Sequence, residues 1–383
     1  MYSPLFFLSA LGSGGIAVTF FLWLLFWIAH PGHPIPVFED IILAFKTASV
    51  MKQMIISISL IGILFFIIWH LKLMFWNFKN YFQFIKTLAG KKMLNDDTQV
   101  QRLAIPLALA MTINAMFIFG AVFVPKLWSV VEYLFPFAII GFLIIGIWSM
   151  KMYANLFRHA LMGNFNMNAN TSFAQVLPAF TFAMVAVGLS APAAMSENVI
   201  TVNVSLICSS FFIVISIFLT LVKTISGLHQ IFTNGIQENA IPTLWILIPI
   251  VTVLGIALMR QSHGIHHTLH LGNEGSLMPP LTAAVCLQIF VFFLGYQAMK
   301  IFNYIPRMFK GEITTPAVFA IICPGVAFAV LLQFYINKGL VASGIIIKFS
   351  LPYIILSILP LVVTFITIIL YAKLNRRLKV GSN

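Results

Sequence analysis

Long hydrophobic runs recur along the whole chain, and shorter polar segments separate them. A helix needs about 20 predominantly apolar residues to cross the hydrocarbon of a bilayer. Ten runs meet that length, with expected limits at 4–29, 53–75, 103–125, 128–150, 172–193, 200–222, 242–260, 279–300, 314–336 and 345–372. Most connecting loops are short, so neighbours in sequence are expected to pack as antiparallel hairpins. The prediction is an all-α polytopic membrane protein. A single transmembrane domain covers residues 1–383, its ten transmembrane helices forming five helical hairpins around a central pore. Two loops are longer than a turn. Residues 30–52 open with His30-Pro31-Gly32-His33-Pro34 and continue into a partly apolar stretch suited to the membrane surface. Residues 76–102 are basic and read as a short amphipathic helix. The first run is too long for a signal-peptide core and follows no basic residue, so it is read as a retained helix.

Within the odd-numbered runs a local pattern recurs. The run Thr314 to Asn337 carries Pro324-Gly325 near its centre, followed by the small residues Ala327 and Ala329. Proline removes a backbone donor and clashes with the carbonyl four residues back, so a kink is expected there. In hydrocarbon a freed carbonyl is costly unless protein or water satisfies it, which suits a helix inside a bundle. Comparable stretches begin at Gly14-Gly15, Pro106, Pro178 and Pro249, and successive copies start 92, 72, 71 and 75 residues apart. That spacing predicts an internal repeat of one hairpin.

Composition agrees with this class and narrows the charge reading. Hydrophobic residues make up 61% of the chain and charged residues 8%, far from the make-up of a soluble domain. The formal net charge of +13 invites a nucleic-acid partner, but its distribution argues against one. Sixteen of the 22 Lys and Arg fall on even-numbered loops, the end of the second run and the C-terminus. By the positive-inside rule both termini are cytoplasmic and the charge is topological, with no nucleic acid. Cys208, Cys286 and Cys323 all lie in apolar runs, without metal-ligand spacing or a disulfide framework.

Candidates for chemistry are few. No Asp or Glu falls at the middle of a run, which favours passive conduction over proton coupling. His263, His266, His267 and His270 share one face if helical, a weak metal candidate and the basis of the alternative reading as a metal-dependent membrane enzyme. No cofactor is otherwise implied. Of 38 phenylalanines, Phe319, Phe328 and Phe182 lie near the recurring prolines and are candidate pore plugs beside Cys323 and Pro324. The candidate pore lining is Gly14, Gly15, Pro106, Asn114, Pro178, Thr181, Pro249 and Thr252. Hydroxyls and amides can hold a partly dehydrated anion weakly, as conduction requires. They equally make hydrogen bonds between helices.

These features together resemble the tellurite-resistance/dicarboxylate transporter family, which includes TehA-like proteins and the slow-type anion channels of plants. The motifs are LGSGGIAVTFF in the first run, Leu177-Pro178 in the fifth, Trp245-Ile-Leu-Ile-Pro249 in the seventh and Cys323-Pro324 in the ninth. The resemblance implies a homotrimer in which each protomer has its own pore, lined by odd helices and surrounded by even ones. It implies transport of small inorganic or carboxylate anions such as chloride, nitrate or sulfite. It also implies a gate phenylalanine on the ninth helix, where this chain has Cys323, so Phe319 one turn away is the expected substitute. The expected function is an anion channel or exporter in a lipid bilayer, placed in a bacterial inner membrane. A coupled carrier of dicarboxylates or tellurite-like oxyanions is the alternative.

Overall fold

The computed structural model describes residues 2–163, 173–272 and 275–381. Among them ten helices are long and apolar enough to span a membrane, here α1 (Pro4–Trp27), α2 (Val50–Phe84), α3 (Asp97–Phe123), α4 (Leu127–Leu161), α5 (Phe173–Met195), α6 (Val199–Asn234), α7 (Glu238–His267), α8 (Met278–Ile301), α9 (Pro316–Val341) and α10 (Leu351–Arg377). The expected start of the fifth run at residue 172 lies outside the described residues. No strand is present among the described residues, so this is an all-α polytopic membrane protein.

Several helices outrun their hydrophobic limits. α2, α4 and α6 continue well past the expected ends, and α7 runs to His267 instead of stopping at 260. Hydropathy marks only the part of a helix inside hydrocarbon, whereas intrahelical hydrogen bonds carry on into the interface. The 30–52 loop contains the helix Phe38–Thr47, which leaves Leu43 exposed and buries Ile41. In the 76–102 segment the expected amphipathic helix is mostly the end of α2, followed by the short helix Leu88–Met93.

The odd helices form a closed inner ring, with α1 against α3, α3 against α5, α5 against α7, α7 against α9 and α9 against α1. Each even helix packs outside its own hairpin partner and also touches the next odd helix around the ring. Burial separates the two layers. The apolar stretches of the odd helices are 44% to 94% buried, those of the even helices 28% to 39%. Phe75, Phe137, Ile207 and Phe365 on the even helices are exposed, as lipid-facing side chains are. Close approach in the ring uses glycine. A Cβ on Gly15 would come within 2.9 Å of Val326 on α9, and one on Gly14 within 2.7 Å of Met111 on α3.

Every odd helix starts on the face that carries both termini, here the proximal face, and does so as a 3-10 turn that passes into α-helix. Pro106, Pro178, Pro249 and Pro324 each fall on the second or third residue of the α segment. The missing N–H is then in the first turn, where it is not needed, so the expected mid-helix kink at Pro324 is instead a change of helix type. This junction is the recurring unit. On α1 it falls at Phe7, so Ser9, and not Gly14, matches the prolines. Side chains of neighbouring helices satisfy the polar backbone. Thr181 donates to the Leu103 carbonyl at 3.1 Å, Ser13 to Phe66 at 2.8 Å, and Tyr371 to Ser9 at 2.9 Å.

Candidate functional site

Two cavities enter the inner ring from opposite faces. The distal cavity, away from the termini, has a volume of about 1260 Å³ and takes Gly15, Asn114, Met184, Thr252 and Val326, one from each odd helix, into its wall. The proximal cavity, about 410 Å³, is lined likewise by Leu8, Val100, Leu177, Ile246 and Ala320. Among the described residues only Phe180, Pro249 and Cys323 belong to both linings. They form the septum between the cavities, on α5, α7 and α9. Phe180 is its one large side chain and is only 3% exposed. An apolar plug of this kind stops ions by excluding water, without a charge.

The expected gate residues are placed differently. Phe319 is fully buried, packs on Phe6 with ring centroids 6.3 Å apart, and lines neither cavity. Phe182 stacks on Phe212 of α6 at 6.0 Å and faces the outer layer. Phe328 packs among the apolar residues around Leu331 and Leu332 and also lines neither cavity. Register explains the first two. A turn of α-helix is 3.6 residues, so Phe182, two residues beyond Phe180, points to nearly the opposite side of α5. Phe319 belongs to the 3-10 turn that opens α9, whose steeper rise carries it out of line with Cys323.

Of the expected lining residues, Gly15, Asn114, Pro249 and Thr252 do border the distal cavity. Gly14, Pro106, Pro178, Thr181 and Pro324 border neither cavity and belong to the contacts between helices. Thr252 is mainly a brace. It donates to the Ala327 carbonyl at 2.9 Å and receives the Gln288 amide of α8 at 2.6 Å. The residue missed was Phe180. Its signal is the second position after the junction proline, where the other copies have Ala108, Val251 and Val326 and only α5 has an aromatic ring.

The histidines do not converge. α7 ends at His267, and His270 follows in a left-handed conformation at φ +52°, so the expected four-histidine face is broken. His263 and His267 have ring centroids 4.0 Å apart, and of the four only His263 lines the distal cavity. No group of three or more metal-ligating side chains occurs among the described residues.

Charge distinguishes the cavities. Arg260, Lys338 and Lys348 line the distal one together with His30, His33 and His263, and among the described residues no Asp or Glu does. Lys348, in the loop before α10, has its ammonium pushed below the usual lysine range by burial and by the nearby Lys52 and Lys338. Burial likewise lowers the His30 imidazole, with Lys338 and Lys348 adding to the effect. Arg260 corrects the sequence reading. The seventh run is expected to end at residue 260, but Arg260 lies inside α7 and lines the cavity wall. The proximal cavity carries Asp96 and Asp97 and no Lys or Arg. Asp96 caps the start of α3 through the Thr98 amide at 2.8 Å, and Asp97 lies 3.5 Å from His159.

The fold and its paired cavities define a polytopic membrane protein of the transporter or channel type. Comparison with family models, with curated proteins and with solved structures finds no match to this chain.

Proposed function

We propose that the protein is an anion channel or exporter in which small anions pass through a pore within each protomer, along the axis of the five odd helices. The observation that carries this reading is the distal cavity, where three cations and, among the described residues, no carboxylate line a largely apolar vestibule. Such a vestibule concentrates anions and repels cations, because fields from fixed charge are focused between walls of low dielectric. The septum at Phe180 separates it from the proximal cavity and is the gate of the proposed path. The resemblance to the tellurite-resistance/dicarboxylate transporter family supports the same reading and suggests a homotrimer. This chain departs from that family's pattern in carrying the septum ring on α5 instead of α9. The positive-inside count supports a cytoplasmic proximal face.

The test is current through the purified protein in planar bilayers under a potassium chloride gradient. The reversal potential should follow chloride, and Phe180→Ala should raise the current. A reversal potential that follows potassium overturns the reading.

A further inference from the structure

Arg260 has more donors than the fold uses. It lies seven residues before α7 ends at His267, about 10 Å along the axis at 1.5 Å per residue. Its Nη1 donates to the Val187 carbonyl at 2.6 Å. That carbonyl belongs to the last turn of the first segment of α5, which breaks at Ser190 before Pro192. The contact caps a helix end and pins the guanidinium plane, but it occupies one of five N–H groups. No carboxylate pairs with Arg260 among the described residues. None of its nitrogens is among the buried polar atoms left without a partner, so the remaining donors are reached from the distal cavity. The wall it joins is largely apolar, with Ile256, Met259 and Ala191, and carries His263 one turn further along α7.

We propose that Arg260 is an anion-binding station on the distal side of the septum, selective for small planar monovalent oxyanions of the nitrate type over halides. A guanidinium held in one orientation offers two parallel N–H groups to two oxygens of a planar anion, which a spherical halide cannot match. Apolar surroundings penalise ions that hold their water tightly, which again favours nitrate over chloride. Among the described residues no carboxylate neutralises it, which leaves the guanidinium to the permeant ion. The single bond to Val187 leaves it in place when the anion departs. The proposal rests on the anion reading above and assigns that path a charged stop on α7.

The experiment measures conductance of the full-length protein against sodium nitrate and sodium chloride concentration, for wild type, Arg260→Gln and Arg260→Lys. Glutamine can still donate to the Val187 carbonyl, and lysine keeps the charge without the fork. Wild type should saturate at lower nitrate than chloride. Arg260→Gln should raise the half-saturating nitrate concentration about ten-fold, the loss of one charge-assisted pair. Arg260→Lys should keep chloride saturation near wild type and lose the nitrate preference. Unchanged nitrate saturation in Arg260→Gln overturns the station while leaving anion conduction standing. A reversal potential following potassium in wild type overturns anion conduction itself. If Arg260→Gln does not fold, thermal unfolding of the wild type decides. Sodium nitrate should raise the Tm saturably and more than sodium chloride at equal ionic strength, and equal responses to the two salts overturn the proposal.

Discussion

The two cavities are built from the same five helices, yet they differ in size and in charge. The distal one is about 1260 Å³ and lined by cations, while the proximal one is about 410 Å³ and has Asp96 and Asp97 at its edge. The contrast runs against the loops, where most Lys and Arg belong to the proximal side. Topological charge is set by which loops stay behind during insertion. The charge a permeant ion meets is set by which side chains turn inward. Six basic residues on the distal side therefore matter more to the proposed path than sixteen on the other, because Arg260, Lys338 and Lys348 reach the cavity wall and the proximal lining has no Lys or Arg.

The strongest way to break this comparison is at the septum that divides the cavities. Phe180→Ala should join them and raise basal anion current by about ten-fold or more, since dewetting is lost once the ring is gone. Adding Cys323→Phe should return a ring to the septum from α9 and lower the current again. Phe319→Ala should behave differently. Its ring is fully buried away from both cavities, so the expected effect is a loss of about 3–5 kcal/mol of stability with little change in current per folded molecule. Single-channel recordings beside thermal unfolding check all three, and an open phenotype for Phe319→Ala alone would place the septum elsewhere.

A smaller effect is expected from the charges at the two mouths. Lys338→Gln with Lys348→Gln should reduce anion current driven from the distal side by about three-fold at low salt, and the difference should fade as salt screens the field. Asp96→Asn keeps the cap on Thr98 and removes a negative charge from the proximal mouth. It should raise current driven from that side by less than two-fold at low salt. Equal and opposite effects of the two changes on both directions of current would show that the cavities do not act as separate vestibules. Rectification measured at two salt concentrations provides the readout.

The smallest expected effect is on pH. Burial lowers the His30 imidazole from its ordinary 6.5, so the ring is neutral around neutral pH and takes a proton only in more acidic solution. The sign follows directly. Above 6.5 the group contributes nothing to pH dependence, because it is neutral in both folded and unfolded chains. As pH falls through 6.5 the unfolded chain gains the proton first and folded stability declines, until the folded pKa is also passed. Protonation adds positive charge to a mouth already holding Lys338 and Lys348, with Asp40 opposing them and His33 and His263 also present. Acidifying the distal solution below 6.5 should therefore raise anion current modestly, and His30→Asn should reduce that rise. A pH profile unaltered by His30→Asn would show that His30 does not set the pH dependence.

Much of the architecture was legible in the chain because the bilayer imposes one strong rule. Backbone polar groups must be satisfied within the segment, so each long apolar run becomes a helix. Ten runs, their hairpin order and the recurrence of the odd helices all follow from that rule. The prolines at 106, 178, 249 and 324 marked the recurring unit, although as helix-type junctions instead of kinks. What the chain alone did not decide is orientation about each helix axis. The membrane-spanning stretches of the odd helices are apolar nearly all round, so no hydrophobic face tells lining from packing. Phe180 and Phe182 differ by two residues, yet one closes the septum and the other stacks on α6. Arg260 stands at the expected limit of the seventh run because hydropathy falls before the helix ends. Closing five hairpins into a ring turned it inward, since only the packed tertiary structure selects which side of each helix meets the axis.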